Sequence, residues 1–185
     1  HKTEVGGIAL NIPDEAALSS FGFGPSQPFD ATAGQGAPLI QVCLSHGDLA
    51  YARYPVLVGH YLGDTIINAE QALDERLDGV LANRQRLGLY PGQLGSHALF
   101  FNPDHDGKPG GAIVLGLGQV GELTPGLLNK GVRDAMLDYA LRVAHWPDER
   151  FGKADSVRSA QLTCLLVGSG AGGMTARDSV EAILR

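Results

Sequence analysis

The chain has 185 residues, 44% of them hydrophobic and 18% charged, with a formal net charge of −6. That length supports one domain with a real core, and the hydrophobic content excludes a wholly disordered chain. The acidic balance, with no Lys/Arg-rich stripe, argues against nucleic acid and anionic membranes as partners but leaves room for a small anionic ligand, which backbone amides can bind without Lys or Arg.

Glycine is the outlier: its 26 residues are about twice the usual share of roughly 7%. Cys43 and Cys164 each fall inside an apolar run and read as reduced core thiols. No apolar run is long enough to span a bilayer, and His1-Lys2-Thr3-Glu4 leads into no signal-peptide core, so a cytoplasmic location is expected. The chain lacks an initial Met and stops at Arg185 within a helical pattern, which reads as a domain cut from a longer chain. Its other domains are then the expected partners.

Residues 1–38, rich in Gly, Ala, Ser and Pro, read as a linker or extended arm, and residues 39–185 as the folded domain. Leu39–Leu44 and Tyr51–Tyr54 are strand candidates joined by a turn at His46-Gly47-Asp48, and Val56–Gly59 is a short buried strand. Ala69, Ala72, Leu73, Leu77, Val80 and Leu81 recur at helical spacing. They predict one helix from Asn68 to about Ala82, capped by Asn68, with Asp74, Glu75, Arg76 and Asp78 on its wet face. Leu87–Gly92 and His97–Phe101 are further strand candidates, followed by a turn over 102–110. Ala112–Leu115 is continuously apolar, as an inner strand covered on both faces would be.

Thr124-Pro125 opens the longest predicted helix, with Leu128, Val132, Ala135, Met136, Tyr139, Ala140 and Val143 as its apolar stripe and Trp146-Pro147 as its stop. A polar loop over 148–158 leads to a buried strand, Leu162–Val167, and Thr175-x-x-Asp178 approximates the capping box of a last helix. The order of elements predicts an α/β three-layer sandwich with a mixed, largely parallel sheet.

Three strand-to-helix junctions could carry a ligand. Gly116-Leu117-Gly118-Gln119-Val120-Gly121 matches GxGxxG literally, but the helix cap falls later, at Thr124, so the dinucleotide register is wrong. A wide turn or an anion cradle remain its two readings. Gly168-Ser169-Gly170-Ala171-Gly172-Gly173, leading to Thr175, can offer successive amides beside a helix N-terminus, or can pack as a tight turn. It is neither a Walker A loop nor a GxSxG elbow. His60 and Asp64 follow the first buried strand and could line the same crevice, the alternative being an ordinary capped loop. If the strands are parallel, these loops open at one sheet edge, where ligands favour binding. Asp104-His105-Asp106-Gly107 lacks the later ligands of a calcium loop, and His46, His97 and His145 lack metal-ligand spacing. No metal and no resident cofactor is expected, and sequence logic assembles no catalytic set.

The stretch Gly111–Thr124 with its long helix resembles the N-terminal domain of leucyl aminopeptidases, which is macro-like. Val58-Gly59-His60-Tyr61 and the helix after it fit that domain's early strand and helix. Pro55–His60, Leu87–Gly92 and Leu166–Gly170 also resemble an uncharacterised domain of large bacterial proteins with caspase-like CHAT modules. The resemblance implies a macro-like fold over about residues 39–185 and transfers no catalytic residue. It implies a non-catalytic accessory or regulatory domain of a larger bacterial protein. The alternative is a domain that binds a nucleotide or ADP-ribose through strand-end loops, as macro domains do; Gly63-Asp64-Thr65 and Asn68 echo their pattern. An independent hydrolase is a third reading.

Overall fold

The computed structural model describes residues 42–104, 106–145 and 160–185. The arm expected over 1–38, His105, Trp146-Pro147 and the polar loop over 148–158 lie outside them. Ser45–Arg185 forms one compact unit.

The elements of that unit are a short 3-10 turn Leu49–Tyr51, β1 Val56–His60, α1 Asn68–Arg76, α2 Val80–Arg86, β2 His97–Phe101, β3 Gly111–Gly116, α3 Pro125–His145, β4 Thr163–Cys164 and α4 Ala176–Leu184. The sheet runs in the order β2-β3-β1-β4. β1 is parallel to both β3 and β4, and only β2 runs antiparallel, against β3. The predicted mixed, largely parallel sheet is therefore present.

Strand alternation sorts the core into two layers. Leu57 of β1 and Ile113 and Leu115 of β3 pack with Leu128, Val132, Ala135, Tyr139 and Val143 of α3 and Ala182 of α4. Their neighbours Val56, Val58, Ala112 and Val114 face the other way, onto Leu73 of α1, Leu77 at the C-terminal end of α1 and Leu81 of α2. Both faces of β1 and β3 are thus covered by helices, as their unbroken apolar runs require. Each fully buried Leu or Ile here contributes about 1.5–3 kcal/mol.

Several sequence expectations need correction. Val42–Leu44 form no strand, and Leu39–Gln41 are outside the described residues. The segment before Pro55 is a 3-10 turn because the Asp48 carboxylate caps the Ala50 N–H at 2.8 Å. Leu87–Gly92 is a loop, with Gly88 at φ +68. The strand expected over Leu162–Val167 shrinks to two residues at the sheet's edge, where only β1 supplies partners.

The single helix expected over Asn68–Ala82 is two. Asp78 and Gly79 both adopt positive φ, +58 and +72, and break the chain between α1 and α2. The Asp78-Gly79 pair is itself a turn signal. Asp74, expected in water, instead turns its carboxylate onto the Leu81 and Ala82 N–H groups at 2.8 and 3.1 Å, capping α2 from outside. Asn68 is not the cap either: Ile67 holds that position, and Asn68 is the first helical residue, at φ +52. Neither cysteine is a core residue: Cys43 and Cys164 are free and exposed, although local desolvation still pushes the Cys164 thiol up to about 11.

The starts of α3 and α4 were legible. Leu127 donates its N–H to Thr124 Oγ1 at 3.3 Å at the head of α3. At α4, Thr175 Oγ1 accepts from the Asp178 N–H at 3.1 Å and donates to the Asp178 carboxylate at 2.7 Å, closing the capping box.

Candidate functional site

Because β1, β3 and β4 are parallel, the loops that follow them leave the same edge of the sheet. The turn before β2 arrives there as well, since His97 pairs with Leu115 near the end of β3. The loops interlock through their backbones. Leu62 donates to Gly118 O at 2.8 Å, Leu117 to His60 O at 2.9 Å, Gly118 to Gly92 O at 2.8 Å and Gly116 to Ser96 O at 2.8 Å.

These bonds decide between the readings of the GxGxxG stretch. Gly116 and Gly118 are buried and their N–H groups are already used. The Gln119 N–H is taken by the Glu122 carboxylate at 2.8 Å, so the loop carries its own anion. A Cβ at Gly116 would run into Gln93 O and Ser96 Oγ, and one at Gly118 into Glu122 and Leu94. These two glycines serve close packing. Gly121, at φ +94, lies exposed at the loop tip with open space around it.

The loop after β4 is different. Gly173 N–H closes on Gly170 O and Met174 N–H on Gly168 O, both at 3.2 Å. The Ser169 hydroxyl turns back to Leu166 O at 2.9 Å. Among the described residues the N–H groups of Ser169, Gly170, Ala171 and Gly172 have no hydrogen-bond partner. They precede the N-terminus of α4, which Thr175 caps. Successive unpaired amides beside a helix start form a concavity of positive partial charge.

Tyr61 joins this loop to the one after β1. Its ring is partly exposed, but its hydroxyl is buried and has no hydrogen-bond partner among the described residues. Gly172 lies so close that a Cβ there would strike that hydroxyl. Burial first, and then the Asp64 charge, hold the Tyr61 phenol above its usual range, so it stays a donor.

On the opposite face of the sheet, His60 is in phase with Val56 and Val58 and points toward α1. There it meets Glu70: Nδ1 lies 3.1 Å from both carboxylate oxygens, with His60 5% and Glu70 8% exposed. Tyr90 donates its hydroxyl to Glu70 Oε1 at 2.7 Å and sets its ring edge-on to His60, with centroids 4.8 Å apart. Burial, then the Glu70 charge and hydrogen bond, hold the Tyr90 proton far above the ordinary phenol range. A cleft of about 210 Å³ opens over this cluster, lined by His60, Leu62, Gly63, Asp64, Gln85, Gly88, Tyr90 and Gly92. Gln85 donates to Asp64 O at 2.8 Å and pins one wall.

The candidate residues therefore separate. His60 and Asp64 share the cleft, whereas Gly168, Ser169, Gly170, Gly172 and Gly173 build the amide loop. Glu70, Tyr90 and Tyr61 were missed from sequence. Glu70 had a signal: it stands three residues before Leu73 on the buried side of α1. Among the described residues no group of three or more His, Cys, Asp or Glu is placed to hold a metal. Nor is any described helix long and apolar enough to cross a membrane.

No protein-family model matches the sequence. No curated protein matches it. Among solved structures, the chain is similar to the macrodomain of Mycobacterium tuberculosis DarG, with a TM-score of 0.55 and 14% identity over 76% of this chain and 85% of that one. At that identity the likeness concerns fold. It supports the macro-like part of the sequence resemblance and does not reach the aminopeptidase or CHAT-associated parts. The chain is an α/β domain of macrodomain-like fold.

Proposed function

We propose that this chain is a binding domain for a nucleotide or ADP-ribose-type ligand, whose phosphates sit on the amides of Ser169–Gly172. The observation that carries this reading is the contrast between the two glycine loops. The amides of Gly116, Leu117, Gly118 and Gln119 are engaged within the fold, with those of Val120 and Gly121 at the exposed tip unpaired, while four successive amides from Ser169 to Gly172 are unpaired among the described residues. The buried Tyr61 hydroxyl beside Gly172 supports it, since an unpaired buried donor costs about 1–3 kcal/mol unless a ligand atom meets it. The macrodomain-like fold supports it too, because macro domains bind ADP-ribose with strand-end loops. Within a longer chain such a module would present its bound ligand to neighbouring domains.

Calorimetric and thermal-shift titration with ADP-ribose, ADP and NAD tests this. Ligand at about a hundred times its Kd adds about 2.7 kcal/mol to stability, which a melting curve reads easily. Tyr61→Phe is expected to raise the melting temperature of the free chain while weakening the ligand. Absence of heat and of any shift at millimolar ADP-ribose, ADP and NAD would sink the reading.

A further inference from the structure

The cleft over His60 is separate from the amide loop. Strand alternation sends Tyr61 toward α3 and α4 but His60 toward α1 and α2, so the two features lie on opposite faces of β1. A buried imidazole–carboxylate pair is no more stabilising than well-packed apolar residues would be. Its geometry is nonetheless strongly fixed. A carboxylate can only accept, so in the neutral imidazole the ring proton belongs on Nδ1, beside Glu70, and Nε2 is the remaining acceptor of a residue that lines the cleft. Tyr90 holds the carboxylate in turn. A base, a group that orients it and an adjoining cavity are the parts of a general-base site.

We propose that this cleft is a hydrolytic site for small uncharged esters, with His60 as the general base and Glu70 as its positioning residue. The volume sets the size: about 210 Å³ lies below the roughly 300–1,000 Å³ of pockets that take drug-sized ligands. The charge sets the class, because Asp64 on the wall and Glu70 behind His60 disfavour anions. His60 Nε2 removes a proton from a water in the cleft as the water oxygen bonds to the ester carbonyl carbon. The carbonyl oxygen, carrying the electron pair, takes the Gly63 N–H, which has no hydrogen-bond partner among the described residues. When the intermediate collapses, the ester C–O bond breaks and the leaving oxygen takes the proton from Nε2. The products are a carboxylic acid and an alcohol, and His60 returns neutral.

The test is hydrolysis of p-nitrophenyl acetate by the whole chain, with p-nitroacetanilide, its unreactive amide counterpart, as competitor. Saturable hydrolysis is expected, falling about 10²-fold or more in kcat for His60→Gln. Glu70→Gln should lower kcat with KM unchanged, and should move the His60 imidazole nitrogen resonances away from the Nδ1–H pattern. Should His60→Gln fail to fold, the wild-type chain decides. The amide must inhibit competitively and shift the backbone resonances of Leu62, Gly63, Tyr90 and Gly92. A rate equal in wild type and His60→Gln, or amide-induced shifts elsewhere, would overturn the proposal. Neither result depends on ADP-ribose binding.

Discussion

Gly172 lies directly against the buried hydroxyl of Tyr61, at the point where the loop after β4 meets the loop after β1. A Cβ at 172 would overlap that hydroxyl and crowd Gly168 O, whereas one at Gly170 would meet nothing. Gly172→Ala should therefore cost about 1–3 kcal/mol, as overpacking does, and reduce ADP-ribose binding. Gly170→Ala should stay within about 0.5 kcal/mol of wild type. Urea denaturation of both variants, with titration of each, separates the two. Equal effects would mean that the contact with Tyr61 does not fix the loop.

Ser179 anchors the same loop from the other side. It is fully buried in α4, and its hydroxyl donates to Val167 O at 2.7 Å, immediately before Gly168. Ser179→Ala leaves that carbonyl unpaired in a dry place, at a cost of about 1–3 kcal/mol. The effect should be local as well as global. Hydrogen exchange of the amides over 168–175 is expected to accelerate more than that of β3. Uniform acceleration across the sheet would contradict an anchoring role.

For the pair beneath the cleft, stability and catalysis make distinct demands. Glu70→Ala leaves the His60 Nδ1–H and the Tyr90 hydroxyl without their acceptor, which costs about 1–3 kcal/mol for a buried donor. Glu70→Gln retains an acceptor oxygen and should lose much less. Denaturant midpoints of the two variants give the comparison. If Glu70→Ala is as stable as Glu70→Gln, the pairing is not a buried one.

The parts of this fold legible in sequence are those where local signals suffice or agree. β1 and β3 announce themselves because both faces are buried, and α3 because Thr124-Pro125 and a regular apolar stripe agree. The parts that were not legible depend on a local break overriding the helical stripe or on contacts distant in sequence. Asp74 became a cap only because the chain broke at Asp78-Gly79, and β4 kept two residues because only β1 supplies its partners. The candidate site divides in the same way. Glycine spacing marked both loops as turns. It could not say that Gly92, Ser96 and Glu122 would take up the amides of Gly118, Gly116 and Gln119 while those from Ser169 to Gly172 stay unpaired.

Alkaline pH acts on the fold through Tyr139. This residue is 2% exposed on α3, and its hydroxyl donates to Gln161 O at 3.1 Å. Burial first, then the neighbouring Tyr54, raise its pKa from the usual 10.0 to about 12. In the unfolded chain the phenol ionises near 10, so between about pH 10 and 12 the folded state binds more protons than the unfolded one. The Tyr139 contribution to stability is therefore intact below pH 10 and is lost as the pH climbs toward 12, by about 2–3 kcal/mol once both values are passed. Tyr90 and Tyr61, also raised by burial, add loss of the same sign. Tyr139→Phe removes the ionisable group while keeping the ring that packs 6.3 Å from Phe101. Its urea midpoint should lie close to wild type near neutral pH and decline less steeply above pH 10. Parallel curves for the two proteins through that range would show that the Tyr139 hydroxyl is not desolvated by α3 and the sheet.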